Sequence, residues 1–442
     1  MIERLRQSHD AASLVAFRIA LGGLVCVSAV RSLLNGWVDQ WFVEPTFAFK
    51  YWGFSWVTAL PPGWMHALFV LVAVLGAVFA SGVAHRVVAP VLFALFAYIQ
   101  LIDVTNWLNH YYLVTLLLLL TSFMPLGRGV KTVPAWCTYL LRFQVGIVYF
   151  FAGIAKLTTD WLVHAQPLDI WLHARTDVPL LGAFFGQRSA AYAMSWGGFL
   201  FDTSIACFLL CRRTRAAAYV VLVLFHATVG FLFPIGMVPW VMVLAALVFF
   251  SPSWPRRVFR LAAPRAAPET FQRPSRGFAA LALAYCVLQV IVPLRHHLYG
   301  GNVLWHEQGM RFSWRVMARE KNGSVTYLVE SARAGRTWYV DPRKYLTERQ
   351  ERELSGQPDL VLQLAHHIAG DFRARGHDDV RVRAEAIVSL NGRAGTPMID
   401  PSVDLAGVED GLGKAAWILP EPHGPPIHLR SRRWNAAHLA SR

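Results

Sequence analysis

The chain has 442 residues, 55% of them hydrophobic, with 17 Trp and 28 Phe, and a formal net charge of +15. A positive mean hydropathy at this length excludes a pair of ordinary soluble domains and points to a polytopic membrane protein. The positive charge does not point to nucleic acid, because no aromatic-interleaved basic strip or nucleic-acid motif accompanies it.

After a polar start, MIERLRQSHD, nine apolar runs follow at roughly residues 13–34, 64–83, 87–106, 110–127, 136–155, 195–211, 216–233, 237–252 and 277–294. Most approach the ~20 residues that a helix needs to cross a hydrocarbon core. The first run carries no A-x-A-like cleavage site and reads as a retained signal anchor. The aromatic-rich segment 35–63 reads as an outer interfacial loop, and the Pro-rich basic stretch 251–277 as a cytoplasmic linker with membrane lipid as its only partner. With the N-terminus inside, fourteen Arg and Lys fall on inner segments against four (Lys50, Lys156, Arg175 and Arg188) on outer loops before the tail. That asymmetry orients the chain, and nine spans then put the tail outside. The preference for Arg and Ala over Lys suits a GC-rich bacterial genome, hence a bacterial inner membrane with an extracytoplasmic tail.

From about residue 296 the apolar density drops. SVTYLVE and TWYVDP around the turn ARAGR read as a hairpin, and PDLVLQLAHHIAGDFRARG as an amphipathic helix with Leu360, Leu364, Ile368 and Phe372 on one stripe. RVRAEAIVSLNGR reads as a further strand ending in an Asn-Gly turn. The expected fold is an all-α polytopic membrane bundle of about nine transmembrane helices, residues 1–295, followed by a small α+β extracytoplasmic domain, residues 296–442. All five cysteines (Cys26, Cys137, Cys207, Cys211 and Cys286) lie in or beside the runs, so neither a disulfide framework nor a Cys-based zinc site is indicated.

Three polar clusters fall at the expected outer side: DVTNWLNHYY with Asp103, Asn106, Asn109 and His110; Lys156 followed by TTDW; and PLRHHLYGG with Arg295, His296 and His297. Ionisable groups at membrane depth are costly and commonly mark a functional path, and three on one side suggest one site. Each also has a plainer reading. Asn109 and His110 can satisfy backbone in a tight turn, Lys156 can snorkel to headgroups, and His226 can hydrogen-bond between helices. The pairs His296-His297 and His366-His367 do not share a helix face and have no third ligand at metal spacing, so no metal site is expected. Lys156 stands out because only six of the 42 basic residues are lysine. A desolvated lysine can surrender its proton near neutral pH, and arginine cannot.

FFAGIAKLTTDW, WLNHYY, FHATVGFLFPIGM, PLRHHLYGGNVLWHEQGMRFSWRVM and LNGRAGTPMIDPSVDLA together resemble the vitamin K-dependent γ-glutamyl carboxylase family, from the first span to about residue 406. The resemblance implies that Lys156 is the general base towards vitamin K hydroquinone, that His110 assists catalysis, and that Asn109 helps to hold the quinol, with Trp107 and His226 as further quinol-binding candidates. It implies that His296, Trp305, Ser313 and Trp314 lie near the glutamate site. The implied cofactor is reduced vitamin K (phylloquinol or menaquinol), with O2 and CO2 as co-substrates and no metal. The implied partner is a glutamate-containing peptide or protein. The resemblance further implies that conversion of the quinol to its epoxide generates the base that removes a γ-proton from glutamate, and that the carbanion captures CO2. A quinol hydroxyl titrates near a phenol, at about 10, so its base must be neutral near pH 7 yet basic enough to take the proton. The chain departs from the animal enzymes in its shorter tail, in lacking their cysteine pairing, and in reading GMRF before the Ser-Trp element. Two other readings therefore stand beside carboxylation: epoxidation alone, and a non-catalytic membrane scaffold of the same fold. The oligomeric state is open.

Overall fold

The computed structural model describes residues 5–262, 271 and 275–428. Arg4, Arg265 and Arg273, which belong to the fourteen inner cations, and the last stretch of the tail, 429–442, lie outside the described residues.

Each of the nine apolar runs contains a helix: α1 (Ala12–Leu34), α2 (Pro62–Ser81), α3 (His85–Leu101), α4 (Asn109–Ser122), α5 (Ala135–Ile154), α6 (Arg188–Leu210), α7 (Arg215–Leu232), α8 (Val238–Ala245) and α9 (Arg276–Leu294). Six of them, α1, α2, α5, α6, α7 and α9, are long and apolar enough to cross a membrane, with α9 continuing as a 3₁₀ turn to Leu298. The other three are shorter for local reasons. A polar turn ends α3 and begins α4: Asp103 leaves the helical conformation and its Oδ1 accepts from the Thr105 amide at 2.8 Å, capping a 3₁₀ turn over Val104–Asn106. In α8 the last apolar residues tighten into a 3₁₀ turn, Ala246–Phe249. At the start of α2, Pro62 sits in the first turn, where its missing N–H costs nothing, and Gly82 ends that helix at φ +79°.

The chain forms two compact units: Met1–Glu44, Trp56–Phe150 and Asp202–Ile291 make one, and Pro45–Ser55, Phe151–Phe201 and Val292–Arg442 the other. Hydropathy alone cuts the chain at residue 296, whereas packing joins 45–55 and 151–201 to the tail.

In the first unit α1 and α2 approach closely, because a Cβ on Gly22 would stand 2.5 Å from the Gly76 carbonyl oxygen. Both positions need glycine for that contact. Arg18 of α1 is buried, and its guanidinium donates to the Ala80 carbonyl at 3.2 and 3.1 Å and to the carbonyls of Leu126 and Gly127. A short antiparallel ribbon pairs β1 (Ser8–Asp10) with β2 (Thr132–Pro134).

In the second unit a four-stranded antiparallel sheet has the order β4-β3-β5-β6, from β3 (Lys321–Ser331), β4 (Arg336–Val340), β5 (Val380–Leu390) and β6 (Thr396–Pro397). The expected hairpin is β3–β4, registered from Tyr327 opposite Val340 to Ser331 opposite Arg336. Along β5, residues alternate between buried and more exposed, which presents one face to the core. That core is completed by α12 (Pro358–Ala374), whose predicted stripe Leu360, Leu364, Ile368 and Phe372 is buried. Two shorter helices, α10 (Val303–His306) and α11 (Glu348–Leu354), were not foreseen from the sequence. The second opens with a capping box between Thr347 and Gln350.

Candidate active site

In the first unit, the turn before α4 carries the quinol-site candidates. Asn109 starts α4 half-buried, and His110 is buried with its ring 4.5 Å from that of Tyr111. Tyr111 in turn reaches Ser28 of α1 at 3.2 Å. Trp107 is half-buried, with its ring 5.3 Å from Tyr112. Next to this turn lies a cavity of about 30 Å³ lined by Ser28, Ser32, Trp41, Asn106 and Tyr111 among others, room for a water or two and no more. His226 is buried in α7, where its Nε2 meets the Tyr149 hydroxyl of α5 at 2.8 Å.

In the second unit, Lys156 follows the last turn of α5 with 6% of its surface exposed. Its Nζ turns back to donate to the Ala152 carbonyl at 3.1 Å and lies over the Trp161 ring, 5.1 Å from the centroid. A snorkelling lysine points the other way, out to headgroups and water.

The loop after Lys156 is pinned from two directions. Thr158 caps a short helix, Thr159–Leu162, by accepting from the Trp161 amide at 3.2 Å, and the Trp161 indole donates to the Ser195 carbonyl at 2.8 Å. Asp160 is buried and takes a bidentate pair from Arg393 at 2.8 and 2.6 Å, plus the Asn391 amide at 2.8 Å. Asn391 holds φ +49° in the Asn-Gly turn, and its Oδ1 accepts from the Glu320 amide at 2.8 Å. The motifs KLTTDW and LNGR thus meet through Asp160, Asn391 and Arg393, none of which had been singled out as a site residue. The signal was present, since a lone Asp after a lysine motif and a lone Arg in an Asn-Gly turn are charges that burial must pair.

The glutamate-site candidates also lie in the second unit. Trp305 is 2% exposed, donates its indole N–H to the Leu419 carbonyl at 2.7 Å, and lies under Lys321, whose Nζ donates to the Trp305 carbonyl at 2.7 Å. Lys321 also pairs with Glu307 at 3.3 Å, and burial draws its pKa down to about 8. Ser313 is buried and donates to the Gly309 carbonyl, while Trp314 is 1% exposed at φ +57°. His296 sits in the turn after α9, its Nδ1 against the Pro293 carbonyl at 2.9 Å and its Nε2 against Arg315 at 2.8 Å. Among the described residues no cluster of three or more His, Cys, Asp or Glu side chains could hold a metal. His366 is bonded to the Val408 carbonyl at 2.8 Å, and the His367 ring lies tilted against Phe47, 4.5 Å away between centroids.

Residues 6–254 match the HTTM domain, and residues 275–424 match the lumenal domain of vitamin K-dependent gamma-carboxylase. The chain belongs to the vitamin K-dependent gamma-carboxylase family. No solved structure matches it. It is a membrane protein of the carboxylase type, mostly helical, with a small sheet towards its C-terminus. Within this family frame the lumenal-domain match starts just before α9 and takes in α10, the Ser313-Trp314 element, the whole sheet and α12. Lys156, Asn109, His110 and His226 fall in the HTTM match.

Proposed function

We propose that the protein is an integral-membrane γ-glutamyl carboxylase that couples oxygenation of vitamin K hydroquinone to carboxylation of peptide glutamate. Overall, hydroquinone, dioxygen, carbon dioxide and a glutamyl residue give epoxide, water and γ-carboxyglutamate. Hydroquinone, phylloquinol or menaquinol, supplies the reducing power and the strong base. Lys156 takes the quinol proton, His110 assists that transfer, and Asn109 holds a quinol oxygen, with Trp107 and His226 contributing to quinol binding. His296, Trp305, Ser313 and Trp314 serve the glutamyl substrate. The observation that carries the reading is Lys156 itself. It is the lysine of the family's own motif, and its side chain is buried against Ala152 and Trp161 instead of extending outwards. A base held away from water is shielded from proton exchange with solvent.

In this proposal the chain crosses a bacterial inner membrane nine times, with α3, α4 and α8 joining the six longer helices. Residues 1–295 form the membrane part with the N-terminus in the cytoplasm, and residues 296–442 an extracytoplasmic domain. A second reading, epoxidation without carboxylation, is favoured by the GMRF departure. Purified protein supplied with reduced vitamin K, oxygen, labelled bicarbonate and a glutamate-containing peptide separates the two. Epoxide with label in the peptide supports carboxylation, epoxide without label supports the second reading, and no epoxide refutes both.

A further inference from the structure

Residues 295–319 hold four arginines, and three of them are spoken for. Arg311 pairs with Asp359 at 2.5 Å, Arg319 with Glu307 at 2.7 Å, and Arg295 donates to the carbonyls of Val292 and Arg311 at 2.8 and 2.5 Å. Arg315 differs. Its one hydrogen bond goes to His296 Nε2 at 2.8 Å, its Nε is out of water, and no carboxylate meets it among the described residues. Burial draws its pKa down to about 10. It stays charged near neutral pH, and its partner is neutral: with Nδ1 of His296 facing a carbonyl at 2.9 Å, that nitrogen carries the proton and Nε2 is the acceptor. His297 lies against His296, its ring tilted and 4.1 Å away between centroids, and brings no negative charge.

A half-buried guanidinium without a counter-charge gives up part of its hydration unrepaid, and it binds a planar carboxylate with paired, charge-assisted hydrogen bonds. Three of its five N–H donors, two on Nη1 and the second on Nη2, remain for such a group. The backbone around it is shaped rather than relaxed. Among the described residues nine non-glycine residues have positive φ, and Glu307, Phe312, Trp314 and Met317, four of the nine, cluster around this arginine. Such conformations persist where the surroundings hold a side chain in a required direction.

We propose that Arg315, backed by His296, is the anchor that recognises the side-chain carboxylate of the glutamyl substrate. This deepens the proposed function and rests on it for the identity of the ligand. The guanidinium fork takes the carboxylate and so selects glutamate over glutamine. His296 holds the fork in place from behind, through a nitrogen that stays unprotonated.

The test uses the full-length protein in zwitterionic lipid nanodiscs, titrated with a short acetylated peptide carrying one glutamate among alanines and with its glutamine counterpart. Binding is read from tryptophan fluorescence, without turnover. The wild type should prefer the glutamate peptide by about 10- to 100-fold, the value of charge-assisted bonds at a buried site. Arg315→Gln should abolish that preference, and Arg315→Lys should retain part of it, since an ammonium keeps the charge and loses the fork. Equal binding of the two peptides by the wild type, or an undiminished preference in either variant, overturns the proposal. So does a preference that disappears when anionic lipid is added, which would give the arginine to lipid phosphate. Should Arg315→Gln fail to fold, the wild type and the Lys variant still decide. Because no chemistry is measured, a protein that discriminates glutamate yet makes no epoxide refutes the proposed function and leaves Arg315 standing.

Discussion

Removing Arg393 should loosen the loop that presents Lys156. Arg393 and Asp160 keep only 13% and 9% of their side-chain surface exposed, and their bidentate contact spans 233 residues of sequence. In Arg393→Met the carboxylate stays buried with one remaining donor, the Asn391 amide at 2.8 Å. Breaking one side of a buried pair costs about 3–5 kcal/mol, and the surviving amide places this case near 3 kcal/mol. That is about a 150-fold rise in the opening of the unit that holds the pair. Denaturant unfolding of the full-length protein in detergent measures it, and Trp161, next to Asp160, reports the loop. Asp160→Leu should cost a similar amount, and the double variant much less than the sum, with a coupling of about 2 kcal/mol. A cycle that is additive within about 0.5 kcal/mol, or an Arg393→Met variant as stable as the wild type, refutes the clamp.

Lys156→Arg should abolish epoxide formation as fully as Lys156→Ala while the protein still inserts, because arginine keeps its proton; near-normal epoxide from the Arg variant would remove Lys156 as the base. His110→Ala and Asn109→Ala should lower epoxide yield by about 10²- to 10⁴-fold. His226→Ala should lower it less, since His226 contributes to quinol binding and its Nε2 meets the Tyr149 hydroxyl at 2.8 Å; equal catalytic loss in all three, with poor folding, would make the Asn-His pair structural. A phosphatase fused at residue 442 should be active and one fused in the 256–276 linker inactive, and the reverse pattern would overturn the orientation. For Lys321, the folded pKa of about 8 lies below the ordinary 10.5, so above pH 8 the unfolded chain binds more protons and stability rises towards pH 10.5. Lys321→Met should lose that rise, seen as a flatter dependence of the unfolding midpoint on pH; an unchanged slope refutes it.

The helices and the sheet were legible because burial writes a period into sequence. The stripe Leu360, Leu364, Ile368 and Phe372 and the alternation along β5 each report one wet and one dry face. Span number was less legible. A run such as 237–252 is apolar to its end, yet its helix tightens to a 3₁₀ turn at Ala246, and composition does not register that change. The motifs pointed to Lys156, Asn109 and His110, but they did not disclose what touches them. Asp160 and Arg393 are separated by more than half the chain, and no local pattern encodes such a pairing. Arg315 was passed over for the opposite reason. Beside Trp314 and Ser313 it looks like one more surface arginine, and only its lack of a carboxylate partner among the described residues sets it apart.

Arg18 has a bearing on how the protein is made. The arginine enters the bilayer with the first helix, while the carbonyls that receive it belong to Ala80, Leu126 and Gly127, which are 62 to 109 residues further along. At a ribosomal pace of about 5–20 residues per second, the last of these emerges roughly 5–20 s after Arg18 itself. Through that interval the charge must stay at the lipid surface or in the insertion machinery, because nothing yet synthesised can accept its hydrogen bonds. The first helix therefore settles to its final depth only after the fourth has been translated. A ribosome stalled between residues 34 and 126 leaves an anchor whose arginine is still accessible to water, a state that a cysteine placed one turn on, at the buried Leu21, would report by its reactivity.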